Sequence, residues 1–227
     1  AASSYQVWTC DVDGGNRKQV LSHPDHLYFC PQWSPDGQWL AFQDCHFRQD
    51  QGHDWSDLVL CRPDGTEQRQ LTKNQSLWFG ATYGYPGNKS GGSNVPVWTK
   101  DGEILCSVRL PDSKVPWEFQ PNRPDTDHFN RDYKPELAQG GTEMCKINPR
   151  DGSIYKVTKS NPPTWDFRGT ESPDGKQVLF CRANTGESPA IWFTDSDGKN
   201  SKLLTKGFDD QGADHPRWVP QLTNQKG

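Results

Sequence analysis

What most constrains this chain is a turn chemistry that recurs along it. Asp-Gly pairs stand at Asp13-Gly14, Asp64-Gly65, Asp151-Gly152 and Asp197-Gly198. Each is followed by a short segment ending in Leu21-Ser22, Leu71-Thr72, Val157-Thr158 or Leu204-Thr205. A second turn type occurs as Ser34-Pro35-Asp36-Gly37, Thr99-Lys100-Asp101-Gly102 and Ser172-Pro173-Asp174-Gly175, and Pro216-Arg217-Trp218 repeats the segment that opens it. Aspartate bonds its own backbone, glycine accepts positive φ and proline presets φ, so both types close hairpins. The repeat predicts units of four short antiparallel strands, A to D, with tight A–B and C–D turns. Such a sheet cannot bury both faces alone, so successive units must stack.

The run Trp33-Ser34-Pro35-Asp36-Gly37, then Leu40-Ala41-Phe42, then an Asp-Gly turn and Leu71-Thr72, resembles the TolB/WD40-like (PD40-type) propeller repeat. The resemblance extends over nearly the whole chain. It implies an all-β β-propeller of four-stranded blades at about 28–72, 95–158 and 168–205, with a split blade of 5–22 and 215–219. No segment reads as strand B of the split blade. A fragment, a half-ring that pairs with a partner and a minimal four-bladed ring all remain open.

Composition agrees with a β-fold rich in turns. The 227 residues include 21 Gly and 18 Pro without a collagen-like period, while ten Trp, ten Phe and six Tyr supply bulky core material. The net charge of −4 lacks the basic excess of a nucleic-acid surface. No apolar run approaches the roughly 18 residues of a membrane span. No signal peptide is visible, Ala1-Ala2-Ser3 reads either as a mature end or merely as where this sequence begins, and the resemblance implies a periplasmic or secreted protein. The seven cysteines include no C-x-x-C pair, which argues against structural zinc. Cys10, Cys61 and Cys145 are expected at one repeat position and Cys106 and Cys181 in another strand, as buried thiols.

The strand order sorts the connections. A–B and C–D turns fall at one end and are short. The B–C and D–A connections fall at the other and include 44–56, 73–94 and 109–141, with 22–30, 159–170 and 206–215. All six histidines, His23, His26, His46, His53, His128 and His215, lie in this second set. Long loops on a rigid scaffold are where sites are built.

The largest insertion mixes rings with charges, notably Trp117, Glu118, Arg123, Asp127, His128 and Arg131. Rings stack on sugar C–H faces while carboxylates and guanidinium groups bond hydroxyls or carboxylates; a lid packed on its own blade is the alternative. Trp165, Arg168, Glu171, Asp214 and His215 enter A strands and are expected at the channel mouth, with Cys30, Val95, Arg168 and His215 at equivalent positions. Glu171 stands where the repeat has Trp, so a buried carboxylate needs a partner, with Arg168 or a metal as candidates. A structural ion pair is the alternative to a ligand role there.

His46 and His53 are candidate ligands for a divalent metal (Mn, Zn or Ca), although their spacing matches no strong signature. The Asp-rich turns at 11–16 and 195–200 lack the later bidentate Glu of a calcium loop and read as hairpin turns. The glycine-rich segments 83–87 and 90–94 read as a solvated loop.

These features suggest binding or processing of a carbohydrate, in particular an acidic polysaccharide, on the long-loop end, with His128 and His215 as candidate catalytic residues. A weaker similarity to oligogalacturonate lyases implies removal of a proton α to a uronate carboxylate, assisted by a divalent metal. Whether the protein is an enzyme stays open. A protein-interaction propeller, or a subunit that joins chains through unpaired blade edges, are the other readings.

Overall fold

A computed structural model of the protein describes residues 6–24, 26–46, 55–77, 79–83, 90–119, 131–162, 164–205 and 212–219. Apart from one turn of 3-10 helix, Pro135–Leu137, the regular structure among them is β. Four strands pair in succession three times. The first meander is His26–Trp33, Leu40–His46, Trp55–Cys61 and Arg69–Gln70. The second is Val97–Trp98, Ile104–Arg109, Thr142–Ile147 and Ile154–Lys156. The third is Thr164–Glu171, Gln177–Asn184, Ala190–Asp195 and Lys202–Leu203. Val7–Thr9 and Lys18–Leu21 pair with each other alone, in a two-stranded sheet.

The repeated residues hold the turns in repeated ways. Ser34 Oγ donates to Asp36 Oδ1 (2.6 Å) and accepts from Trp39 N (2.9 Å), which closes the A–B turn from inside. Ser172 does the same with Asp174 (2.6 Å) and Gln177 N (2.9 Å), and Thr99 accepts from Glu103 N (3.0 Å). The Leu-Thr ending has its own reason. Thr72, Thr158 and Thr205 accept the N–H groups of Leu58, Met144 and Ile191 at 2.8 to 2.9 Å, where strand D becomes too short to supply a backbone partner.

Alternation along the strands sends successive side chains to opposite faces, and each face buries against a neighbouring unit. Leu40, Phe42, Val59 and Cys61 pack on Val7 and Leu21 of the hairpin before them. Ala41, Leu58 and Leu60 face the other way, onto Ile104, Cys106, Cys145 and Ile147. Leu105 and Met144 continue the series onto Val178 and Phe180. The C–D turn of each meander also presses its glycine on the unit before. A Cβ on Gly65, Gly152 or Gly198 would come within 2.4, 2.9 or 2.2 Å of the carbonyl oxygens of Val20, Leu71 and Val157.

Two expectations need correction. Cys145 lies opposite Lys156, the position that Val59 takes opposite Gln70; Cys61 stands two residues further on, so the three cysteines share a face and not one position. An extra residue in the turn Asn148–Ser153, where Gly152 N reaches back to Asn148 O and Gly65 N only to Arg62 O, shifts the alignment. The supposed solvated loop also carries regular structure, because Phe79–Tyr83 and Ser90–Ser93 pair antiparallel. The cysteines are free; Cys10 is exposed, and burial pushes the Cys61 thiol up to about 11 and that of Cys106 to about 12.

Candidate functional site

Strand A carries the unusual backbone. Cys30, Arg168 and His215 adopt φ of 53°, 51° and 55°, a left-handed conformation that costs an L-residue about 1–2 kcal/mol. In the first and third meanders it coincides with a bulge, between Phe29 and Gln32 and between Phe167 and Thr170. These are three of the four positions expected to be equivalent; Val95, the fourth, is not left-handed. Segment 212–219 forms no strand, but its side chains reach back to the third meander. Trp218 Nε1 donates to Thr170 O (3.3 Å), as Trp98 Nε1 donates to Gln32 O (3.2 Å) one unit earlier.

This placement brings Asp214 and His215 onto Arg168, 46 and 47 residues away in sequence. The Arg168 side chain is buried and forms an ion pair with Asp214 through Nη1. His215 Nδ1 lies 3.4 Å from Arg168 Nη1 and 3.3 Å from Asp214 Oδ2, while 58% of its side chain stays exposed. Burial, then the Arg168 charge, holds His215 below its ordinary pKa, against the pull of Asp214. The ring is therefore neutral at neutral pH. With Nδ1–H on Asp214, its Nε2 offers a lone pair; with Nδ1 accepting from Arg168, Nε2–H becomes a donor. Both tautomers suit a polar ligand.

The cluster rests on a buried polar network. Asn94 Oδ1 accepts from Arg168 N (3.1 Å), Asn94 O accepts from Gln43 Nε2 (2.7 Å), and Gln43 Oε1 accepts from Ser56 Oγ (2.5 Å). The buried Cys181 thiol donates to Asp214 Oδ1 (3.2 Å), and its pKa is raised by burial and by Asp214. Asn94 and Gln43 are not among the site residues expected from sequence, and Cys181 is expected there only as a buried thiol. The Asn94 signal was its position next to Val95, one of the four aligned strand-A residues.

The other candidates fare differently. Trp165 is fully buried among Trp55, Phe167 and Ala183, parallel to Trp55 at 6.4 Å, with Nε1 donating to Thr185; it is a core residue and not a ligand contact. Glu171 does not meet Arg168. Its carboxylate pairs with Lys146 Nζ at 2.9 Å and accepts from Lys100 N at 2.7 Å, close to the short turns. Glu118 is exposed on a hairpin made by Trp117–Phe119 and Arg131–Tyr133; for Trp117 and Arg131 only the backbone is described. His53, Arg123, Asp127 and His128 lie outside the described residues.

His46 is described through its backbone, which pairs with His26. The His26 Nδ1–H donates to Asp44, with both oxygens at 2.8 and 2.9 Å, and the His23 ring packs edge-on at 4.2 Å. Among the described residues no group of three or more His, Cys, Asp or Glu side chains is placed to hold a metal ion. The side chain of His46 and the whole of His53 lie outside the described residues. A cavity of about 380 Å³ lies beside the long connections, lined by Gln75, Arg109, Asp112, Glu143 and Lys156 among others. An open groove of about 600 Å³ runs at the short-turn end between the first and second meanders, lined by Trp39, Trp98, Arg69, Lys100, Glu103 and Arg150.

No protein-family model matches the chain. In sequence it is 24% identical over 191 residues to the uncharacterized peptidase YuxL of Bacillus subtilis, which covers 80% of this chain and 25% of that protein. It is 31% identical over 74 residues to the Tol-Pal system protein TolB of Albidiferax ferrireducens, 33% of this chain and 16% of that one. Among solved structures, dipeptidyl peptidase 4 of Porphyromonas gingivalis aligns over 87% of this chain and 28% of its own, with a TM-score of 0.54 at 18% identity. An oligogalacturonate lyase in complex with manganese aligns over 87% of this chain and 41% of its own, with a TM-score of 0.50 at 15% identity. These neighbours are propeller proteins. The fold is of propeller type. The chain spans a quarter or less of the curated relatives it matches. No helix among the described residues is long and apolar enough to cross a membrane.

Proposed function

We propose that this chain forms propeller blades at about 28–72, 95–158 and 168–205, with 5–22 and 215–219 as parts of a split blade, and that its long-loop end binds an acidic carbohydrate around His215. The supporting observation is the meeting of Arg168, Asp214 and His215 from two separate strand-A segments, with the neutral imidazole exposed and the ion pair beneath it. Arg168 positions Asp214, and Asp214 sets the tautomer of His215. The exposed Nε2 then exchanges a hydrogen bond with a sugar hydroxyl, or takes up the proton α to a uronate carboxylate if the ligand is also processed. The likeness to the oligogalacturonate lyase shows the fold alone, and the chemistry at His215 rests on its own geometry. A periplasmic or secreted location goes with this reading.

Titration calorimetry with uronate oligosaccharides tests it. Wild type should bind, and His215→Ala should lose at least about tenfold in affinity, 1.4 kcal/mol, while retaining its circular dichroism spectrum. Equal binding by both proteins, or no binding by wild type, would sink the carbohydrate reading.

A second reading, a protein-interaction propeller, is supported by the groove at the other end. Trp39 there carries the Arg62 and Arg69 guanidinium groups 3.9 and 4.5 Å from its ring centre, and Lys100, Glu103 and Arg150 surround it. Rings flanked by both charge signs suit a peptide segment. On this reading Trp39→Ala removes peptide binding and His215→Ala does not.

A further inference from the structure

The first and second meanders are tied together beside the long connections, and a crevice stays open next to the tie. Ser76–Leu77 pairs with Trp55–Cys61 on one side and with Ile104–Arg109 on the other, and Arg109 N donates to Gln75 O (2.8 Å). The cavity of about 380 Å³ there has Lys73 and Gln75 from the connection that leaves the first meander. Residues 108–112, Glu143 and Lys156 of the second meander and its connection complete the lining. Its volume is within the range of about 300–1,000 Å³ that small-ligand sites occupy.

The charged groups of the crevice are of two kinds. Glu143, 4% exposed, accepts Ser160 N on Oε1 (3.1 Å), as Asp57 accepts Asn74 N (2.6 Å) at the same position of the first meander. Its other oxygen lies 2.7 Å from Lys156 Nζ, so these two charges offset each other. Lys73, Arg109 and Asp112 differ, because none of them has an ion-pair partner among the described residues. The Arg109 guanidinium lies 5.3 Å from the centre of the Trp55 ring, a contact that holds it without using its N–H groups. Arg182, between the second and third meanders, shows the contrast. Its guanidinium donates to both Asp166 oxygens (2.6 and 2.8 Å) and to Lys159 O (3.1 Å).

We propose that this crevice binds a free acidic amino acid. The uncommitted charges are two positive and one negative, so a ligand that satisfies all three carries two carboxylates and one ammonium group. Arg109 suits one carboxylate through paired N–H donors, Lys73 meets the other as a point charge, and Asp112 accepts the ammonium. Val108, 7% exposed, offers an apolar wall to the methylene stem. A plain dicarboxylate would set its own charge against Asp112, and a neutral amino acid would leave one cation unanswered. Such mismatches discriminate between ligands of equal size. The crevice shares no residue with the cluster around His215, and the two readings stand or fall separately.

Titration calorimetry of the 227-residue chain with L-glutamate tests the proposal, with glutarate and L-glutamine as controls. Glutamate should bind, and each control should bind at least about tenfold more weakly. Lys73→Gln, at an exposed position, should weaken glutamate about tenfold. Asp112 has a φ of 58°, which asparagine tolerates; Asp112→Asn should weaken glutamate and bring glutarate level with it. Glutamate should also slow the acetylation of Lys73, read by mass spectrometry, and His215→Ala should change none of these results. Three outcomes overturn the proposal: no glutamate binding by wild type at millimolar concentration, equal binding of glutamate and glutarate, or binding that survives both Lys73→Gln and Asp112→Asn. Galacturonate that protects Lys73 as well as glutamate does would also overturn it, and would give the crevice to a sugar acid.

Discussion

Lys146 Nζ lies 2.9 Å from Glu171 Oε1, with 7% and 4% of the two side chains exposed. The pair joins strand C of the second meander to strand A of the third, and it explains why a carboxylate stands where the repeat elsewhere has Trp. Removing one partner leaves a buried charge, so Glu171→Ala should cost about 3–5 kcal/mol, whereas Lys146→Met combined with Glu171→Leu should be near neutral. Urea denaturation of the two variants decides this; equal losses would show that the pair is not what matters at the site.

The threonine of the Leu-Thr ending predicts a second effect. Thr158 accepts Met144 N (2.9 Å) and donates to Asp166 Oδ2 (2.5 Å), while Arg182 grips both Asp166 oxygens at 2.6 and 2.8 Å. Thr158→Val keeps the shape and orphans a buried N–H, so a loss of about 1–3 kcal/mol is expected. Thr205→Val, on a more exposed strand, should cost less, and the ratio of the two denaturation midpoints measures the difference.

Glycines in the two turn types should separate cleanly. Gly198→Ala meets Val157 O at 2.2 Å in addition to its φ of +85°, while Gly37→Ala, at φ +70°, meets nothing within 4 Å. The second variant should lose about 1–2 kcal/mol from backbone strain alone. The first must also push two units apart and should lose more. Thermal midpoints of the two proteins test the order, and an inverted order would contradict the stacking described.

His215 gives a pH dependence with a fixed sign. Its folded pKa is below the ordinary 6.5, so the unfolded chain binds the proton more readily. Its contribution is present above 6.5 and is lost as pH falls from there toward the lower folded value. His215→Asn, a residue tolerant of the left-handed backbone, should therefore gain on wild type between pH 7.5 and 5.5 in urea midpoint. A gap that stays constant would place the imidazole in solvent, away from Arg168.

The chain's local chemistry was legible in its sequence. Ser34, Asp36 and Gly37 make their turn with partners two to five residues away, and alternation sends Leu40 and Phe42 to one face and Ala41 to the other, so both follow from spacing alone. The alignment that made Cys30, Arg168 and His215 equivalent was visible too, because each precedes Pro or Gly in a strand-A segment. Trp165 was misread as a ligand contact because an aromatic ring beside charged residues looks the same in sequence whether it faces a channel or Trp55.

What the sequence by itself determined is the repeating four-stranded unit, since strand period and turn chemistry act over a few residues. The tertiary structure alone decided that Glu171 meets Lys146 and that Asp214 and His215 meet Arg168. Those outcomes depend on how far one unit is rotated and shifted against the next, which is set by packing between strands tens of residues apart.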